Sequence, residues 1–292
     1  MSAFDVVVVG ALHHDCVVRA PRLPKMDETL LGQSVSYVCG GKGGNQARAA
    51  ARLGATTAMV GAVGHDDAGA VLRADLETAD VDTSFVRQVA EPSGMSVAIV
   101  EDGGEYGAVV VSGANLRLDP DADLPAGRVA LFQNELPAPT NLALMKRANV
   151  NSRVVWNAAP LTERDATVEE MASLCDLIVL NRVEASAWLN CEIEVVADAV
   201  NLDLPCPAIV TLGADGCLLF DGARRHVPAP KVEAVSAHGA GDVFVGALVG
   251  RWTRDDTLPD AVVYASHAAA AWVSRDEAAR ERFGPEGVQS IR

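Results

Sequence analysis

Two glycine-rich stretches carry the residues best placed for chemistry. The later one, VSAHGAGDVFVGAL from Val235 to Leu248, sets the turn Gly239-Ala240-Gly241 and the carboxylate of Asp242 against a helical-looking run of small and apolar residues. A helix opening there leaves the amides of Ala240, Gly241 and Asp242 without intrahelical acceptors. Such amides stabilise charge developing on a transferred phosphoryl group, and Asp242 can accept the proton of an attacking hydroxyl. Aspartate is also a common helix cap, so GAGD taken alone fits a plain structural turn as well. The earlier stretch, CGGKGGNQARAA from Cys39 to Ala50, surrounds Lys42 with four glycines and runs into a helix. Glycine lets backbone approach a polar ligand closely, and a helix amino terminus favours electronegative groups. The loop is not of the GxxxxGK[ST] type, because Gly43 follows Lys42 where a hydroxyl is required, and it lacks GxGxxG spacing.

The elements that must hold these stretches alternate regularly. Buried-strand runs are expected at Phe4 to Gly10, Thr56 to Gly64, Arg128 to Glu135, Ser152 to Pro160, Leu177 to Asn181 and Ala208 to Gly213. Ala-rich helical stretches lie between them, one of them Asn45 to Leu53 closed by Gly54. Short β-branched runs separated by helices predict a mostly parallel sheet covered by helices, an α/β fold. GCLLFDGARRHVPAP, Gly216 to Pro230, reads as an antiparallel edge hairpin around Asp221-Gly222. Two segments break the rhythm, near residues 15–38 and 93–112, and are expected to form a small separate sheet.

Composition narrows the function. The 292 residues are 49% hydrophobic, enough for a sizeable core, and the formal charge of -15 argues against binding to a nucleic-acid backbone. No apolar run reaches the length of a membrane span, and acidic Asp5 stands where a signal peptide carries basic residues, so a cytoplasmic protein with no membrane partner is expected. Six cysteines without a CxxC pair are expected to be reduced thiols, many of them buried.

In combination and order, the motifs resemble the ribokinase-like (PfkB) family of carbohydrate kinases. GGKGGNQA is similar to the family's amino-terminal signature and GAGDVFVGAL to its carboxy-terminal one. Between them LFQNELP (Leu131 to Pro137), NAAP (Asn157 to Pro160), NRVEA (Asn181 to Ala185) and VTLGADG (Val210 to Gly216) follow in the expected order. The glycine-flanked lysine and GAN, Gly113 to Asn115, are most similar to the ribokinase branch.

The resemblance implies one ribokinase-like kinase domain over residues 1–292, a three-layer α/β fold with a small β-sheet lid, and a homodimer in which lids pair. It also implies an ATP-dependent kinase acting on a small-molecule sugar. Asp242 matches the catalytic base, and Gly239, Ala240 and Gly241 match the anion hole. The sugar falls to Asp15, Gly41, Lys42, Asn45 and Glu135, whose types read hydroxyl donors and acceptors. Asn181 and Glu184 match the NxxE motif of the phosphate and Mg²⁺ region, with Glu184 acting through water; a helix cap with its capping-box partner fits NRVE too. Thr211 and Gly213 match the nucleotide-side loop, and His267 aligns near the adenine.

Two departures are informative. His13, in GALHHD, stands where ribokinases carry a substrate-contacting asparagine in GSxNxD, which points away from ribose itself. Ser236-Ala237 stands where the family has Asp-Thr, the aspartate helping to bind K⁺; the second half of that cation site is altered too, reading SRDEAARERFGPEG from Ser274. Activity weakly dependent on K⁺, or a side chain or water in place of the ion, is the expectation. Two other readings stay open: a nucleoside kinase of the same superfamily, with Tyr37, Met95 and Tyr106 offering an apolar wall for the base, and a noncatalytic sugar or nucleotide sensor.

Overall fold

Four consecutive valines place the first strand at the centre of the molecule. In β1 (Phe4–Val9), Val6 and Val8 enter one hydrophobic core and Val7 and Val9 the other, all at most 1% exposed. Successive side chains of a strand point to opposite faces, so an unbroken valine run demands cover on both. The computed structural model describes residues 3–103, 105–193, 204–254 and 256–291; the side chain of Tyr106 also lies outside what is described.

The chain continues through β2 (His13–Ala20), β3 (Ser34–Gly40), α1 (Lys42–Arg52), β4 (Thr57–Gly64), α2 (Asp67–Thr78), β5 (Val81–Asp82), β6 (Val86–Val89), β7 (Met95–Glu101) and β8 (Tyr106–Val111). It goes on through β9 (Gly127–Gln133), α3 (Ala138–Ala148), β10 (Arg153–Asn157), α4 (Ala166–Ser173), β11 (Leu177–Asn181), α5 (Arg182–Leu189), β12 (Ala208–Thr211), β13 (Cys217–Phe220) and β14 (Arg224–Val227). Helices α6 (Ala240–Trp252), α7 (Leu258–Val273), α8 (Glu277–Glu281) and α9 (Pro285–Gln289) complete it.

The main sheet runs β14-β13-β12-β11-β10-β9-β1-β4-β5, with β6 also on β4. Every pair from β12 to β5 is parallel, and β13–β14 forms the expected antiparallel edge. One core packs residues of α1, α2, α6 and α7 against the sheet, among them Ala47, Leu72, Leu248 and Ala265. The other packs α3, α4 and α5, through Leu144, Met171 and Trp188. The result is the three-layer α/β arrangement that the strand pattern predicts. A separate sheet, β3-β2-β7-β8, rises from His13 and Gly94, which bridge at its root.

The sheet changes direction of travel at β1, which has β4 on one side and β9 on the other. Ligands of open α/β sheets bind at such a switch point, beyond the carboxyl ends of the strands. Register lines up the polar residues there: Gln133 opposite Asn157, Asn157 opposite Val179, and Asn181 opposite Thr211.

Helix α1 starts at Lys42, three residues earlier than the sequence suggests. Glycine disfavours helix by about 1 kcal/mol relative to alanine, which hides this turn from propensity; tertiary contact overrides it, with the Gly44 amide donating to Ala11 O at 3.2 Å. Of the cysteines, all free, only Cys175 and Cys217 are buried.

Helices α1 and α6 meet at Gly246. A Cβ there would lie 2.6 Å from Ala49 Cβ, 2.8 Å from Gln46 O and 2.9 Å from the Ala50 amide nitrogen. Two of those atoms are backbone and cannot rotate away, so the helices approach only because position 246 lacks a side chain. Gly246→Val is expected to destabilise the protein by about 2–3 kcal/mol, the upper part of the overpacking range. The helix-propensity gain of a few tenths of a kcal/mol does not offset it. Urea unfolding midpoints measure the difference.

Candidate functional site

Helices α1 and α6 bring their amino termini together at the carboxyl end of β1, and two side chains of α1 fix the carboxylate that α6 carries. Asn45 Nδ2 donates to Asp242 Oδ2 at 2.9 Å, and Gln46 Nε2 donates to Asp242 Oδ1 at 3.0 Å. Each amide is itself held. Gln46, fully buried, also donates to Asn157 Oδ1 at 2.8 Å and accepts from Gln133 Nε2 at 2.8 Å. Asn157 donates onward to Val179 O at 3.2 Å, and Asn141 Nδ2 holds Gln133 O at 2.6 Å. Asn45 Oδ1 accepts from Arg48, whose guanidinium pairs with Asp75 and bonds Cys39 O. The orientation of Asp242 is thus set from strands β3, β9, β10 and β11 and from helices α1, α2 and α3.

Helix α6 opens on Gly239 in the left-handed region, φ 77°, and carries Asp242 in its first turn. One expectation needs correction: the Ala240 amide is not free, because it donates to Ala237 O at 3.2 Å and closes the turn. The amides of Gly241 and Asp242 carry no backbone hydrogen bond among the described residues, and a Cβ on Gly241 would meet no described atom within 4 Å beyond its chain neighbours and its own helix. That open pair of donors at a helix start can receive an anion.

Around this centre stand the other residues singled out in the sequence. The Lys42 amide donates to Glu135 Oε2 at 2.7 Å, with Gly41 as the cap of α1. Burial pushes the Glu135 carboxyl up to about 7; Lys42 opposes the shift, while Asp242 and Asp15 add to it. Those influences place Asp15, Lys42, Glu135 and Asp242 within one field. Asp15 accepts from the Ser96 amide at 3.0 Å, tying β2 to β7. His13 is 5% exposed, its Nε2 has no hydrogen-bond partner, and burial lowers its pKa against the pull of Asp15, which favours the neutral ring. The fully buried Asn115 holds the chain before it, bonding both the amide and the carbonyl of Leu12 at 2.9 Å.

A second group lies farther along the strand ends. Asn181 caps α5, accepting from the Val183 and Glu184 amides, while the Asn181 amide donates to Glu184 Oε2 at 2.6 Å. The capping box therefore forms. Glu184 is buried, which raises its pKa, and Lys42 is the cation that opposes the rise. Thr211 pairs with Asn181 in register, and Gly213 opens the turn after β12 into empty space. His267 lies on α7 with Nδ1 bonded to Val263 O at 2.9 Å in its own helix.

Gln46, Gln133 and Asn157 were quoted within motifs of the sequence, yet residue type alone gives a buried glutamine no role. Only the strand register and the approach of α6 reveal that they converge on Asp242.

Comparison with known proteins identifies the family and the fold. The sequence profile of the pfkB family carbohydrate kinases matches residues 3–281. A ribokinase of Lactococcus lactis is 32% identical, the match covering 97% of this chain and 92% of the relative. Among solved structures, a ribokinase from Thermotoga maritima superposes with a TM-score of 0.88 at 29% identity, covering 98% of both chains. The Arabidopsis thaliana ribokinase complexed with ribose and ATP gives 0.88 at 25% identity, covering 99% of this chain and 98% of that one. Fold, switch-point site and family match converge: this chain belongs to the pfkB family of carbohydrate kinases and is an ATP-dependent carbohydrate kinase.

Proposed function

We propose that the chain transfers the γ-phosphate of ATP to a hydroxyl of a small sugar, with Asp242 as the base. The observation that carries this reading is the Asp242 carboxylate, both of whose oxygens are held by amide donors at the mouth of the sheet. Asp242 accepts the hydroxyl proton as the new oxygen–phosphorus bond forms and the bond to ADP breaks. The turn Gly239-Ala240-Gly241 shapes the anion hole, and the Gly241 and Asp242 amides receive the developing charge. Positioning and charge stabilisation dominate phosphoryl transfer, so a rigidly held base beside two open amides is the appropriate equipment.

Asp15, Gly41, Lys42, Asn45 and Glu135 line the sugar side. His13, with an unpaired buried nitrogen, adds a contact that reads a substituent other than those of ribose. Asn181, Glu184, Thr211, Gly213 and His267 form the nucleotide side. Mg²⁺ fits there: a single buried carboxylate whose charged form is disfavoured gains from a nearby cation, and Mg²⁺ keeps most of its waters. Glu184 would hold it indirectly, and the ion would neutralise phosphate charge. Tyr37 pairs with Cys16 on the face of β2 opposite Asp15, so it offers no wall to a nucleoside base; this favours a sugar.

That outer face supports a homodimer through the small sheet. Register places Tyr37, Cys16, Val97 and Val109 in one row, with Tyr37 62% and Val109 68% exposed. Free thiols throughout, and the absence of any helix long and apolar enough to cross a membrane among the described residues, accord with a cytoplasmic enzyme.

A coupled ADP-release screen over pentoses, hexoses, ketoses, acidic sugars and nucleosides tests the reading: sugar-dependent ADP formation is expected, and its absence with every sugar refutes it. Asp242→Asn should lower kcat by about 10²–10⁴-fold, the usual worth of a general base, with ATP affinity little changed. Val109→Asp should convert a dimer to monomer in light scattering. The raised Glu135 pKa gives a pH effect of defined sign. Between the ordinary carboxylate range and about 7 the folded protein holds a proton that the unfolded chain has released. Stability from this group therefore falls as pH rises through that window. Glu135→Gln should flatten the fall in Tm across it.

A further inference from the structure

The loop that delivers Gly239 to the anion hole, Val235 to His238, is fastened to the end of α7 at every turn. The Val235 and Ser236 amides both donate to Val273 O, at 2.7 and 3.2 Å. Trp272 Nε1 donates to His238 O at 2.8 Å. A Cβ on Gly239 would lie 3.2 Å from that same indole nitrogen, so Trp272 also walls the left-handed residue that starts α6. Ser236 O on the loop and Trp272 O at the end of α7, the latter also accepting from the Arg275 amide at 3.2 Å, are both taken by one guanidinium. Arg280, at the end of α8, donates through Nε to Trp272 O at 3.1 Å and through Nη2 to Ser236 O. Its plane lies over the Trp272 ring, 4.9 Å from the centroid, and Trp272 packs edge-on against Phe283 at 5.5 Å.

A helix carboxyl terminus and an adjacent loop carbonyl form an acceptor-rich spot that favours positive charge. Position 236 is serine and brings no carboxylate to a metal ion; its Oγ accepts from the His238 amide at 3.3 Å. A monovalent cation bound beside the anion hole does not fit these residues, since Ser236 brings no carboxylate and Ser236 O, His238 O and Trp272 O each already accept a hydrogen bond. Arginine stays charged at any ordinary pH, and its rigid fork matches two separated oxygens.

We propose that Arg280 is a positioning residue. It supplies from the chain itself the fixed positive charge that clamps Ser236 and Trp272, holds Gly239 in its left-handed conformation, and so keeps the anion hole in shape without a bound monovalent cation. The proposal rests on the phosphoryl-transfer role of the turn at Gly239 to Asp242.

The test combines turnover with a measurement that needs none. With the sugar found in the screen, wild-type kcat should be the same in potassium, sodium and tetramethylammonium chloride at constant ionic strength. Arg280→Ala should lose about 10-fold or more in kcat, approaching the cost of a lost anion-hole donor, with a smaller change in KM for ATP. Free guanidinium or K⁺ should restore part of that loss, and Arg280→Lys should fall between. Amide hydrogen exchange over residues 235–242 should quicken in Arg280→Ala while the strands of the main sheet stay protected, which separates loss of the clamp from loss of the fold. Strong K⁺ activation of the wild type overturns the proposal, as does Arg280→Ala with unchanged kcat or with unchanged exchange in the loop. A wild type that forms no ADP with any sugar refutes the proposed function instead, and the exchange comparison then decides the clamp alone.

Discussion

The site depends on one contact, the pair of amide hydrogen bonds that Asn45 and Gln46 make to the two oxygens of Asp242. They span nearly two hundred residues of chain, so they exist only if α1 and α6 lie side by side with their amino termini level. Gly246 permits that approach, and the valines of β1 give both helices a common floor. A shift of either helix along the other would separate the carboxylate from its donors while leaving most of the core intact. The sheet can therefore tolerate many apolar exchanges that the helix pair cannot.

Charge is distributed around that contact with the same economy. Asp15, Glu135 and Asp242 meet near a single lysine, so burial, with the charges of Asp242 and Asp15 beside it, raises the carboxyl of Glu135. The charge of Lys42 also reaches Glu184 along the strand ends and so links the two groups of polar residues there. An anion entering between them finds the lysine and two helix starts in place of bulk water, where electrostatic interactions are stronger.

Much of this was legible in the sequence. The parallel strands are buried on both faces and appear as β-branched runs; the edge hairpin announces itself by Asp221-Gly222; and the order of the polar motifs identifies the family. What escaped was governed by packing. Strands β5 and β6 are two and four residues long and owe their existence to the edge of β4. Helix α1 begins inside a glycine loop whose composition argues against it. Gln46 and Gln133 are amides with no distinguishing spacing, and their role depends on which strand lies beside which. Arg280 sits in a charged stretch that reads as solvated surface, and only the return of α8 toward the loop gives it two carbonyls to hold.

The buried relay from Gln133 through Gln46 to Asp242 is made of carboxamides alone on its protein side. A carboxamide neither gains nor releases a proton over the range in which proteins stay folded. That arm of the framework around Asp242 is consequently blind to acidity, in contrast to the Asn45 arm, which ends on the Arg48–Asp75 ion pair. Histidine, often chosen elsewhere to orient a catalytic carboxylate, would make the alignment itself titrate. Here the Gln133–Gln46 arm keeps Asp242 aligned whatever the ionisation of the carboxyls around it.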